Sequence, residues 1–236
     1  MIELRDKAAI IAGDKTITYQ ILQNNVKAFS ETFSIEPGER VLIYAENSLE
    51  WIYAFYAVWH KQGIPVPVDH LAGTDDVSFI IDDCKPAVVF TSQTNNSKLL
   101  FALEKCNYKP EFKLLENNTL NNVITTDTLS IGENSDDTAV IIYTSGTTGS
   151  PKGVMLSYTN LIENIESVTE RVKIINGDDR LMILLPLHHI FPLLGTLILP
   201  LYVGATTAIC PSLNAEDVLK TLQTHKISII IAVPRF

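Results

Sequence analysis

Short apolar runs alternate along this chain with stretches of helical periodicity, and that alternation predicts an α/β fold whose sheets are mostly parallel. Residues 41–45 form the first clear strand. Asn47 is placed to cap the helix that follows, with Glu50 three residues on completing a capping-box-like pair. That helix carries Trp51, Ile52, Tyr53, Phe55, Tyr56, Val58 and Trp59, is apolar on nearly every side, and stops near Gly63. A helix without a polar face belongs inside a protein. Residues 64–68 enter the next strand, and Pro65 and Pro67, each lacking an amide donor, place it at an edge or a strand start. A helix around 75–83, a strand at 86–91, a helix over 97–106 and an extended segment at 112–115 continue the series.

Residues 139–144 (Ala-Val-Ile-Ile-Tyr-Thr) read as a buried strand, and 153–156 as a short extended segment. Ser157 is placed to cap a helix with Leu161, Ile165, Val168 and Val172 on one face. From Asp179 the pattern restarts, with strands at 181–185, 205–209 and 227–233 and helices over 190–202 and 215–225. The expected division is a first α/β subdomain over 1–176 and the start of a second over 177–236, with residues 1–35 free to pack on the second. Residues 117–137, rich in Asn, Thr, Ser and Asp, are expected to be the least ordered, because these side chains compete for backbone hydrogen bonds. The chain stops at Pro234-Arg235-Phe236, directly after a strand where a crossover is expected. It reads as a truncated part of a fold of stacked mixed and parallel sheets with packed helices.

Composition narrows the chemistry. With 46% hydrophobic and 19% charged residues, the chain has ample material for a core. A formal net charge of −9 argues against a nucleic-acid partner, whose binding comes from neutralising phosphates with Lys and Arg. Three widely spaced cysteines, Cys84, Cys106 and Cys210, form no metal-ligand pattern and no even disulfide set, which suits free thiols in a reducing cytoplasm. The first residues lack the apolar centre of a secretory signal. The longest apolar stretch, 193–209, is broken by Gly195, Pro200 and Gly204 and falls short of the roughly 20 residues of a membrane span. Localisation is therefore expected to be cytoplasmic, with peripheral membrane contact left open although no basic amphipathic helix argues for it.

The strongest chemical signal is Tyr143-Thr144-Ser145-Gly146-Thr147-Thr148-Gly149-Ser150-Pro151-Lys152-Gly153. Its glycines permit close backbone approach, so that successive amides can converge on an anion. Ser145, Thr147 and Thr148 add hydroxyl donors, Lys152 adds a mobile charge, and Pro151 stiffens the exit. The Walker pattern GxxxxGK[ST] fails here. Ser-Pro separates Gly149 from Lys152, and Gly153 stands where a magnesium-binding hydroxyl is needed.

These residues resemble the phosphate-binding motif of the adenylate-forming superfamily, which includes acyl-CoA synthetases, nonribosomal adenylation domains and luciferases. Other landmarks are similar and fall in family order: Thr16-Ile17-Thr18-Tyr19 with Leu22, Pro37-Gly38-Glu39-Arg40-Val41, the helix at 47–63, and Leu185-Pro186-Leu187-His188-His189 with Gly195 and Gly204-Ala205. The resemblance implies activation of a carboxylic acid by Mg-ATP to an acyl-adenylate, followed by transfer to a thiol. It implies that Thr144, Ser145, Gly146, Thr147, Thr148, Gly149 and Lys152 hold the β- and γ-phosphates, that Lys152 and His189 are catalytic, and that His189 lies beside the acyl and adenylate pocket. His188 has no counterpart and is assigned a structural role; no metal ligand is assigned in this chain. The family's YGxTE segment, its ribose-binding Asp and its C-terminal domain with the adenylation Lys are absent. Magnesium and CoA are thus expected to be held mainly beyond residue 236, and this polypeptide alone is expected not to catalyse the reaction.

Residues 187–192 and the terminal Val233-Pro234-Arg235-Phe236 look most like long-chain fatty acyl-CoA ligases, including relatives directed to an acyl carrier protein. An amino-acid adenylation domain and a short, non-catalytic binding module are the alternatives. A reading frame continuing past Phe236 separates the enzyme from the module.

Overall fold

A computed structural model describes residues 5–117, 136–144 and 150–233. Contacts divide them into two units. One holds the described residues up to Asn24 and from Thr159 onward; the other holds those from Asn25 through Tyr158. Of the segment expected to be least ordered, 118–135 lie outside the described residues.

The chain opens with a hairpin, β1 (Ala8–Ala12) and β2 (Lys15–Thr18), paired antiparallel. Positive φ at Gly13 alone of the two turn residues is the signature of a II′ turn, which needs glycine first. Helix α1 (Tyr19–Ser30) follows, and the unit boundary falls within it.

The second unit is built on a parallel sheet: β3 (Arg40–Tyr44), β4 (Ile64–Val68), β5 (Val88–Thr91) and β6 (Glu111–Leu114), in spatial order β4-β3-β5-β6. The crossovers are α2 (Leu49–His60), α3 (Thr74–Cys84) and α4 (Asn96–Lys105). As its prolines require, β4 stands at the end of the hydrogen-bonded order. Helix α2 is buried along nearly its whole length. Its cap, however, is Ser48 and not Asn47: the Ser48 hydroxyl accepts the Trp51 amide at 3.0 Å from extended backbone. That shift puts Glu50 one position too early for a capping box.

An antiparallel pair, β7 (Thr138–Thr144) and β8 (Lys152–Ser157), completes this unit, with β7 lying beside β4. The Trp59 indole donates to the Ala139 carbonyl at 2.7 Å and ties α2 to β7. Ile141 of β7 joins the core formed by Leu42, Val66, Ile81, Val89 and Leu99.

Helix α5 (Tyr158–Glu166) leads into the first unit and ends in π turns over Ser167–Val172. Leu161 and Ile165 are buried as the periodicity predicts, but Val172 is 62% exposed. The wider i→i+5 turns rotate it off the apolar face. Strand β9 (Arg180–Ile183) is followed by a helical run: α6 (Ile190–Pro192), π turns over Leu193–Ile198, and α7 (Leu199–Val203). An amide at position 200 would bond the Thr196 carbonyl in an α-helix; Pro200 has none, and the Thr207 hydroxyl donates there instead at 2.8 Å. Then come β10 (Thr206–Ile209) and α8 (Ala215–His225), whose Asn214 cap accepts the Asp217 amide.

The first unit's sheet has the order β2-β1-β10-β9, with β1 parallel to β10 and β10 parallel to β9. Tyr19, fully buried, donates to the Ala205 carbonyl at 2.6 Å. The strand expected at 227–233 is instead an isolated parallel bridge between Leu181 and Ile229. The Ser228 amide donates to the Arg180 carbonyl at 2.8 Å, but its hydroxyl takes the Arg180 amide at 2.9 Å and donates to Asp179, so the pairing goes no further than one bridge.

Burial in the second unit makes its stability sensitive to alkali. Cys84 is pushed up from 9.0 to about 12 by burial. Tyr44 reaches about 12 through burial and the nearby Asp69 carboxylate, and Tyr158 about 12 through burial and Asp137. Each group is raised in the folded state, so its stabilisation is complete below the unfolded value and is lost as pH rises through the folded one. The urea midpoint is expected to fall steadily from pH 9 toward 12. In Cys84→Ala the fall near pH 9 should be shallower, because there only Cys106, also raised by burial, contributes before the tyrosines begin to titrate near pH 10. A midpoint flat across that window would refute this assignment.

Candidate nucleotide-phosphate site

The site grows from the register of β7 and β8. Ala139, Val140, Ile141 and Ile142 are buried, so the strand is anchored before it reaches its polar end. The Cα partners are Ile142 with Val154, Tyr143 with Gly153, and Thr144 with Lys152. Directly opposed residues point to the same face, with Cβ atoms about 4.5–5.5 Å apart. The Thr144 hydroxyl and the Lys152 ammonium therefore emerge side by side where the loop begins and ends. Both residues are exposed, as is Ser150, and Pro151 leads directly into β8. Ser145, Gly146, Thr147, Thr148 and Gly149 lie outside the described residues.

Tyr143 and Gly153 face the other way, toward the core that includes Ile141. A Cβ on Gly153 would meet Ile141 Cγ2 at 3.0 Å and Tyr143 Cζ at 3.1 Å, so glycine leaves the space the tyrosine ring fills. The Tyr143 hydroxyl donates to Asp83 Oδ2 at 2.5 Å, at the last turn of α3. Burial, then that bond to a carboxylate, pushes the phenol well above its ordinary range. Neither Asp83 nor this use of Tyr143 is visible in the sequence pattern, because the two are separated by 60 positions and no motif joins them.

In the other unit, His189 sits at the N-cap of the helical run, in extended conformation. Its carbonyl accepts the Leu193 amide at 3.0 Å, and its exposed ring lies 4.1 Å from that of His188 at 55°. The apolar run behind it packs inward: Leu193, Leu197, Ile198 and Leu201 are fully buried. Among the described residues, no helix is long and apolar enough to cross a membrane.

Parallel sheets with packed helices, beside an antiparallel pair whose connecting segment is rich in Gly, Ser and Thr and closed by a lysine, give the α/β fold of the solved acyl-CoA synthetase-like structures. The description "AMP-binding enzyme" matches residues 3–236, and the chain belongs to that family. Among its relatives, the human mitochondrial malonate–CoA ligase ACSF3 is 29% identical over 201 residues, covering 83% of this chain and 34% of that protein. Tyrocidine synthase 2 of Brevibacillus parabrevis is 27% identical over 168 residues, covering 68% of this chain and 4% of that protein. The ATP-bound structure of MatB from Rhodopseudomonas palustris superposes with a TM-score of 0.84 at 23% identity, covering 99% of this chain and 48% of that one. The chain thus spans about a third of the human relative and about half of the solved one.

Proposed function

We propose that this chain is the phosphate-holding front part of an acid–thiol ligase that activates a carboxylic acid as its acyl-adenylate and passes it to CoA or an acyl carrier protein. The observation that carries the reading is the pairing of Thr144 with Lys152, which sets a hydroxyl and an ammonium group together at the mouth of the loop. A carboxylate attacking a phosphate pits anion against anion, and charge moves to pyrophosphate as the bond breaks. Lys152 offsets that charge, while Thr144 and the hydroxyls and amides of 145–149 hold the β- and γ-phosphates. An exposed lysine beside a hydroxyl fits a triphosphate; magnesium and CoA are assigned to groups beyond residue 236. His189 is assigned to the acyl pocket.

For the acid we favour a long-chain fatty acid, on the likeness of residues 187–192 to such ligases. The run after His189 adds little, because its leucines are accounted for by core packing. A short dicarboxylic acid is the second reading, suggested by the human relative, a malonate–CoA ligase. Thiol-dependent AMP release by the complete ligase, assayed with C6, C12, C16, aryl, malonic and amino acids, decides among them. A preference for C12–C16 acids supports the first, malonate the second, and amino acids would overturn both. The 236-residue polypeptide alone is expected to show no acid-dependent ATP–pyrophosphate exchange. Exchange by it would sink the division of labour.

A further inference from the structure

We propose that Asp83 and Tyr143 act as a clamp that orients Thr144 and Lys152, with Gly153 leaving the slot that the tyrosine ring fills; both are positioning residues for the nucleotide. The proposal rests on the reading of Thr144 and Lys152 as phosphate-holding groups.

Tyr143 is the residue before Thr144, so the direction of its side chain sets that of its neighbour across the pleat. Its ring lies over Gly153, the residue after Lys152, and its hydroxyl is bonded to Asp83. One side chain thus touches the strands on both sides of the loop. The anchor is itself braced. Arg40, at the start of β3, donates from Nε to the Cys84 carbonyl at 2.7 Å and from Nη2 to the Lys85 carbonyl at 3.3 Å. Lys85 closes α3 in the left-handed conformation, with its amide on the Ile81 carbonyl. The strand ends that bear Thr144 and Lys152 are therefore tied, through Tyr143 and Asp83, to the end of a helix fixed against the parallel sheet. A bond to a carboxylate is stronger than a neutral one, which suits a joint at an otherwise open strand end.

Asp83 is exposed and carries the tyrosine bond at the one end of α3 where a negative charge is least favoured by the helix dipole.

The test uses Tyr143→Phe, Asp83→Ala, their double variant and Asp83→Asn, which keeps an acceptor. In the complete ligase, Tyr143→Phe and Asp83→Ala should each raise KM for ATP about tenfold with kcat within about twofold, the pattern of lost uniform binding. The double variant should be no worse than either single, and Asp83→Asn should recover most of the loss. Amide exchange across 144–153, without nucleotide, should quicken in both singles and return toward wild type in Asp83→Asn. Additive effects in the double variant, or exchange unchanged in both singles, overturns the clamp. Quickened exchange together with a Lys152→Ala variant whose KM for ATP is unchanged keeps the clamp and overturns the phosphate reading beneath it. Tyr143→Phe loses only a hydroxyl, so a folded protein is assured for at least one arm.

Discussion

Lys152→Ala in the complete ligase is expected to lower kcat/KM for ATP in acid-dependent pyrophosphate exchange by about 10² to 10³, the scale of losing one donor to developing charge. The size follows from placement. Lys152 ends the loop opposite Thr144, in a strand whose partner is buried, so its ammonium is delivered to one place and not left to diffuse. Because the side chain is exposed, its removal takes nothing from the core, and the thermal midpoint should be unchanged within error. Lys152→Arg keeps the charge and should recover part of the rate. A loss smaller than about threefold in Lys152→Ala would place the phosphates elsewhere.

The largest loss of stability is expected at Trp51. It is 1% exposed and stacks on Phe55 with ring centroids 5.4 Å apart and planes 8° from parallel. Phe55 in turn meets Trp59 at 4.6 Å, and the Trp59 indole is bonded to the Ala139 carbonyl of the strand that opens into the loop. Trp51→Ala should cost about 3–5 kcal/mol, through lost burial and a cavity. That is a large share of the roughly 5–15 kcal/mol that holds a domain together. Urea unfolding followed by circular dichroism measures it. Phe101→Ala, on a side chain 60% exposed, serves as the comparison and should stay within about 0.5 kcal/mol. Equal effects at the two sites would show that the aromatic ladder of α2 is not the centre of this core.

Much of this architecture was legible in the pattern of apolar positions. The α2 helix announces itself because a helix apolar on every side has only one place to go, and α8 because its polar and apolar positions separate cleanly. The two prolines of β4 place it at the end of its sheet for want of donors. What failed did so for local reasons. Asn47 and Ser48 are both good caps, and only the backbone conformation decides between them. The apolar alternation of 227–233 resembles a strand, yet its pairing with β9 stops at one bridge, where the Ser228 hydroxyl takes the Arg180 amide. The β1–β2 hairpin and α1 were passed over as landmarks of a resemblance. For the site, the loop was readable because glycine, hydroxyl and lysine sit in one run. The clamp was not, since it joins residues that only the fold brings together.

The first unit's sheet carries a consequence for how the molecule is made. The Thr206 hydroxyl bonds the Ala8 carbonyl across 198 positions, and β1 takes its parallel neighbour β10 from the far end of the chain. On the ribosome, β1 is therefore synthesised long before the strand that completes its sheet. The stretch from Asn25 to Tyr158, whose sheet partners all lie within it, can close while β1 still waits. Contacts so distant in sequence form slowly, and an apolar strand kept waiting invites the wrong neighbour. The order of synthesis thus makes the first unit the vulnerable one, because β1 must wait for β9 and β10 before its sheet can close.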